Sequence, residues 1–140
     1  MSIVLGYDES PGARQALTTA IDVAKRFDVD LVLVYGVAPP GREGEEFRTH
    51  MEALTEIGRT AIEHAQGEAS AAGVHTLVEL IEAKPAQALV DAADKHDAQV
   101  IVVGTLGESP LRGAMLGSTP QKLLQLSTRP VLCVPARHER

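Results

Sequence analysis

Residues 100–119 run VIVVGTLGESPLRGAMLGST. It opens on an unbroken apolar run, Val100, Ile101, Val102 and Val103, the mark of a strand buried on both faces of a parallel sheet. The run stops at Gly104, and glycines recur at Gly107, Gly113 and Gly117 before Ser118 opens a helical pattern. A buried strand, a glycine-rich turn and a helix N-terminus in succession make a place for an anion. Glycine lets the main chain close on a phosphate, and the free N–H groups of a first helical turn face it. One or two glycines would suit an ordinary surface loop; four between a buried strand and a capped helix tip the reading towards phosphate.

Outward from this stretch, apolar runs alternate with helical periodicity. Residues 2–7 read as a short strand ending at Gly6-Tyr7-Asp8. Ser10 then stands as an N-cap with Pro11 at the first helical position. Ala13, Ala16, Leu17, Ala20, Ile21, Ala24 and Phe27 recur at three- and four-residue spacing as the inward face of that helix. Most are alanines, so the helix can lie close to a sheet. Residues 30–37, DLVLVYGV, form a second buried strand, and 38–46, APPGREGEE, a polar connection rich in Pro and Gly. A long helix follows to about Ala72, with Phe47, Met51, Leu54, Ile57, Ala61 and Ala65 inward and Gly73 as its stop. Strands at 74–83 and 98–104 flank a helix that Lys84-Pro85 opens and that runs to about His96. A short helix, 120–126, and a last strand, 131–134, close the chain.

This alternation predicts one α/β domain over residues 1–140: a doubly wound, five-stranded parallel sheet with helices on both faces. Open sheets of this kind bind ligands beyond the carboxyl ends of the strands, where the strand order reverses. The order 3-2-1-4-5 is favoured over 2-1-3-4-5 by where the glycines fall. It sets the switch between strands one and four, so that Asp8, after strand one, faces Gly104 across the crevice. Two roles stay open for Asp8: a carboxylate holding a ribose hydroxyl or an adenine amine, or a turn residue bonding its own main chain.

Composition narrows the function class. A chain of 140 residues, 44% hydrophobic and 23% charged, suits a soluble globular domain. Its net charge of -6 argues against nucleic acid and against an anionic membrane surface as partners. The scarce aromatics (Tyr7, Phe27, Tyr35, Phe47) offer no base-stacking platform. The single cysteine, Cys133, excludes an internal disulfide, agrees with a reducing compartment, and reads as a small core residue within an apolar strand. No run is long enough to span a bilayer, and MSIVLGYDES has neither a basic n-region nor a long apolar h-region; a cytoplasmic location is expected.

The absent motifs also inform. No G-x-x-x-x-G-K-[ST] occurs, no G-x-G-x-x-G follows strand one, and there is no G-x-S-x-G nucleophile elbow. His50, His64, His75, His96 and His138 lack metal-ligand spacing, so no structural metal is expected.

Gly104, Gly107, Gly117 and Ser118 match the pattern G-x2-G-x9-G-[ST], and here the chain resembles the nucleotide-binding branch of the universal stress protein family. IVLGYDES, LVLVYGV, AKPAQALVDAADKHDAQVIVVG and RPVLCVP resemble the family's opening strand, second strand, third-helix and fourth-strand region, and closing strand. The resemblance covers nearly the whole chain. It implies an ATP-binding stress-response or regulatory protein, with AMP or ADP as alternatives and Mg as a possible companion ion. By position, Gly104, Gly107, Gly117, Ser118 and Thr119 would line the ribose and phosphates, Asp8 and the main chain at Val37 would flank the nucleoside, and Val103 would pack beneath it. Two features depart from the family pattern. Gly6-Tyr7 stands where a Pro or Val and a small residue are more usual, so Tyr7 would narrow the adenine side. Pro120 follows Thr119, removing one N–H at a position taken as the first of the helix.

Phosphoryl transfer needs a water-positioning group and usually a cation. Near the loop only Glu108, Arg112 and Lys122 are polar candidates; Arg112 would clamp phosphate, and no catalytic residue is assigned. The reading is therefore a nucleotide-responsive protein with slow ATP hydrolysis at most. A protein-interaction module of the same fold without nucleotide is the first alternative, and a slow ATP-hydrolysing enzyme is the second. The apolar strand 131–134, last in the chain and at a sheet edge, predicts a homodimer through strand addition, which the family resemblance also implies.

Overall fold

A computed structural model of the chain describes residues 1–7, 11–36, 45–81, 83–105 and 118–135, with the side chains of 11, 36, 45–55 and 57 outside that description. The elements run β1 (Ser2–Gly6), α1 (Pro11–Phe27), β2 (Asp30–Gly36), α2 (Glu45–Ala71), β3 (Thr76–Ile81), α3 (Pro85–Lys95), β4 (Ala98–Gly104), α4 (Ser118–Leu126) and β5 (Val131–Val134). All strands are parallel, in the order β3-β2-β1-β4-β5. This is the expected topology, and β4 and β5 have the expected bounds.

The apolar runs explain why β1, β2 and β4 are central. Successive strand side chains point to opposite faces, and here both faces are covered. Ile3, Leu5, Leu31, Leu33 and Val102 pack with Ala13, Ala16, Leu17 and Ala20 of α1 and with Ala61, Ile62, Ala65 and Ala69 of α2. Val4, Val32, Val34, Ile101 and Val103 pack on the other side with Ala86, Ala88, Leu89, Ala92 and Ala93 of α3 and Leu123 of α4. Each large apolar side chain so buried stabilises the fold by about 1.5–3 kcal/mol. The alanines let the helix backbones approach the sheet.

Helix ends follow capping chemistry. Gly73 has φ of 80°, its N–H donates to Ser70 O at 3.0 Å, and Val74 N–H donates to Ala69 O at 2.9 Å. That is a Schellman stop with glycine in the left-handed position. The same turn ends α1, where Asp28 has φ of 54° and Val29 N–H donates to Ala24 O at 3.1 Å. This turn corrects the expected inward role of Phe27, which is 63% exposed. The chain reverses immediately after Phe27, and Val29 packs against the core in its place.

Other boundaries shift by small amounts. β3 is shorter than the expected 74–83, and residues 45–46 belong to α2 rather than to the connection before it. α4 begins at Ser118, so Pro120 is its third residue, not its first. A proline is tolerated there because the first four amides of a helix have no intrahelical acceptor. Ser10, Glu108 and the terminal residues 136–140 lie outside the described residues, as do the side chains of Phe47, Met51, Leu54 and Ile57.

The amino end of the sheet is tied by side chains. Ser2 Oγ donates to His96 O at 2.9 Å, across 94 residues of sequence. Arg129 Nη1 donates to Ala98 O at 2.7 Å, and its guanidinium lies 3.5 Å from both Asp94 Oδ1 and Asp97 Oδ1. Ser127 Oγ holds the turn before β5, accepting from Arg129 N–H at 3.0 Å and donating to Arg129 O at 2.8 Å.

Candidate functional site

The switch in strand order falls between β1 and β4, which pair directly. β1 leads into α1 on one face of the sheet, while β4 is followed by α4 on the other. In a parallel sheet the returning helices run back against the strands, so the N-termini of α1 and α4 both lie at the carboxyl end. Neither has an acidic residue in its first turn. The first turns themselves bring no carboxylate to the positive end of either helix dipole, the end that favours an anion.

Gly104, the last residue of β4, sits directly beneath the first turn of α1. A Cβ placed on Gly104 would stand 2.5 Å from Gly12 C, 2.6 Å from Gly12 O and 3.0 Å from Gly12 Cα. All three are backbone atoms and cannot swing aside. Gly104 is therefore glycine because a helix passes against it. Its packing partner Gly12 is buried, and the sequence reading did not single it out. A signal existed: glycine costs about 1 kcal/mol relative to alanine within a helix, and it occurs here beside Pro11 in a helix otherwise lined with alanine.

The remaining residues fall around this junction. Gly6 ends β1 on the α3 side, where an added Cβ would lie 3.0 Å from Leu89 Cδ1 and 3.5 Å from Val103 Cγ1. Val103 is 3% exposed and belongs to the α3 and α4 core. Tyr7 is only 2% exposed, with its ring in the α1 and α2 core, and its N–H donates to Val34 O at 3.1 Å. Tyr7 therefore prolongs the pairing of β1 with β2, and its ring does not stand at an open surface. Thr105 N–H prolongs β4 in the same way, donating to Val134 O at 3.0 Å. Ser118 is exposed and Thr119 half-buried at the start of α4. Gly104, Gly6, Val103 and Tyr7 thus share the strand ends. Asp8, Val37, Gly107, Arg112 and Gly117 lie outside the described residues.

Two further groups bear on chemistry. Cys133 is half-buried, pairs in register with Val103, and has its thiol pushed up by burial. A raised pKa disfavours the nucleophilic thiolate. Among the described residues, no three His, Cys, Asp or Glu side chains gather to hold a metal ion, and no helix is long and apolar enough to cross a membrane.

The chain is an open, doubly wound parallel α/β sheet whose strand order reverses between β1 and β4, the place where sheets of this kind bind their ligands. The chain belongs to the universal stress protein family, whose family model matches residues 1–135. It is 33% identical to universal stress protein MJ0531 of Methanocaldococcus jannaschii over 136 residues, covering 94% of this chain and 80% of that protein. It is also 33% identical to a Mycolicibacterium smegmatis universal stress protein, of which it spans 46%. Among solved structures, hypothetical protein MJ0577 has the same fold, with a TM-score of 0.87, 22% identity, and coverage of 99% of this chain and 97% of that one. A universal stress protein in complex with cAMP is 25% identical, with a TM-score of 0.78 over 98% of each chain. One from Archaeoglobus fulgidus in complex with dAMP is 22% identical, with a TM-score of 0.71 and coverage of 96% and 97%.

Proposed function

We propose that this chain is one adenine-nucleotide-binding regulatory domain, with the nucleotide held by residues 104–119 at the switch between β1 and β4. The observation that carries this reading is the junction at Gly104. There the last residue of a buried strand meets the first turn of α1 at the position where the glycine stretch begins in sequence, and α4 opens at Ser118. The related protein with cAMP supports adenine nucleotides as the ligand class. The residues fit such a ligand: the first turn of α4 carries N–H groups with no acceptor within the helix, Ser118 there is exposed, and neither first turn carries an acidic residue.

In this reading Gly104, Gly107, Gly117, Ser118 and Thr119 take the ribose and phosphates, and Arg112 clamps the phosphates. Val103 packs beneath the nucleoside while Asp8 and the main chain at Val37 flank it. Gly6 and Tyr7 bound the adenine side, Tyr7 through its main chain. ATP is the expected nucleotide, with AMP or ADP as alternatives. A companion Mg would be held chiefly by the phosphates, since Mg usually binds through few carboxylates plus substrate phosphates. The protein works in the cytoplasm as a homodimer through β5, an edge strand, VLCV, with no charged residue and with Leu132 exposed. Neither nucleic acid nor membrane is a partner.

Binding, not turnover, is the activity. With no general base assigned, ATP hydrolysis should fall well below the enzyme median of roughly 10 per second. The direct test is mass spectrometry of small molecules released on denaturing the purified protein, joined to a thermal shift with added ATP. Adenine nucleotide in the released fraction, or a dose-dependent rise in Tm by linkage, supports the reading. Neither being seen would favour a nucleotide-free interaction module.

A further inference from the structure

The sheet has two edges, and the one at β3 has the more adhesive composition. TLVELI exposes Leu77 at 37%, Val78 at 39% and Leu80 at 38%, and its outer N–H and C=O groups face away from β2. By register, Leu77 lies on the α3 side with Val32, while Val78 and Leu80 lie on the α2 side with Leu33 and Tyr35. Such a strand is a template for another copy, since a newcomer gains main-chain hydrogen bonds and covers apolar groups on both faces.

Glu79 interrupts this strand. It pairs in register with Val34, which belongs to the α3-side core, so its side chain is turned inward over that face. There a single oxygen, Oε1, accepts from Lys95 Nζ at 2.6 Å and lies 2.8 Å from His96 Nε2. The Glu79 side chain is 18% exposed, whereas that of Lys95 is 66% exposed and keeps its ammonium in water. A strand added to β3 would set its own side chains beside Glu79 and strip water from this pair. Desolvating an ion pair costs several kcal/mol per ion before any attraction is regained.

We propose that the inward Glu79–Lys95 pair guards β3 against strand addition by a second copy of this chain. His96 holds the same carboxylate in place from the C-cap of α3. The inference concerns β3 alone and does not depend on nucleotide binding or on the parent's oligomeric state.

The test compares the parent with Glu79→Val and Glu79→Thr by multi-angle light scattering across a wide concentration range. Glu56→Val, an apolar change on an exposed position of α2, serves as control. Circular dichroism and urea unfolding establish that each variant folds, and the threonine variant serves if valine perturbs the α3 packing. The expected result is a concentration-dependent species of at least about twice the parent's mass in the folded Glu79 variants only. Amides of 76–81 should show slowed hydrogen exchange in that species, since new strand pairing protects them. Folded Glu79 variants that keep the parent's mass would overturn the proposal. So would equal association by Glu56→Val, or association that leaves exchange at 76–81 unchanged.

Discussion

At the amino end of the sheet, polar side chains reach over long sequence distances to satisfy main-chain oxygens: Ser2 to His96, and Arg129 to Ala98. At the carboxyl end, β1, β2 and β4 each stop on a glycine, Gly6, Gly36 and Gly104, and the first turns of α1 and α4 carry no acidic residue. One end is closed by its own side chains. The other ends its strands on residues without side chains, with the α1 backbone packed directly on Gly104. Groups already satisfied within the fold contribute to stability, whereas unsatisfied N–H groups and glycine surfaces are what an incoming phosphate requires. On the proposed function the amino end serves stability and the carboxyl end binding, a division that substitutions can break.

The largest effect is expected at Gly104. In Gly104→Val the new side chain meets the Gly12 backbone, so α1 must shift. Overpacking of this kind costs about 1–3 kcal/mol, read as a lower urea midpoint, and the ATP-dependent rise in Tm should vanish with it. If stability fell while the ATP shift persisted in full, α1 packing and nucleotide binding would be separable, and the comparison would lose its carboxyl half.

Arg129→Ala should act in the opposite sense. It removes a charged donor from Ala98 O and should cost about 1.5 kcal/mol, a little discounted by the partial exposure of the guanidinium, while the ATP shift stays at the parent's value. Ser2→Ala should cost about 1 kcal/mol for its one hydrogen bond, again with ATP binding unmoved. Weakened nucleotide affinity in either variant would show that the amino end is not merely structural.

A smaller effect is tied to pH. Hydrogen bonds from Lys95 and then His96 hold the Glu79 carboxyl below its ordinary value of 4.5, against the opposing effect of burial. A depressed native pKa contributes stability that is present above the unfolded pKa and is lost as pH falls through the native one. Glu79→Gln should therefore be less stable than the parent at neutral pH, with the gap narrowing below about pH 4.5. Chemical denaturation across that range checks it, and a gap that widens on acidification would contradict the assignment.

Much of the fold was legible in the sequence because its signals are local. VIVV, LVLV and the alternating alanines are buried wherever the chain places them, and the glycines after β4 chose the strand order. Phe27 was misread because helical periodicity continues through it, whereas the left-handed turn at Asp28 is decided only as the chain reverses. Pro120 has the composition of a first helical residue, but the helix opens two residues earlier, at Ser118. The ties made by Ser2, Arg129 and Glu79 join residues that no local pattern relates. Gly12 shows the limit for the site: a motif marks Gly104, while the reason it must be glycine lies some ninety residues away in sequence, visible only when a helix packs on a strand.

Calorimetric titration of ATP into the parent, Gly117→Val and Arg129→Ala tests the central claim most directly. One saturable site is expected in the parent, no detectable binding by folded Gly117→Val, and unchanged affinity in Arg129→Ala. Ser118→Ala should weaken binding less than Gly117→Val, because it removes one donor and leaves the backbone. Equal affinity in the parent and folded Gly117→Val would mean that the nucleotide, if held at all, is held away from the glycine stretch, and the account would be wrong at its centre.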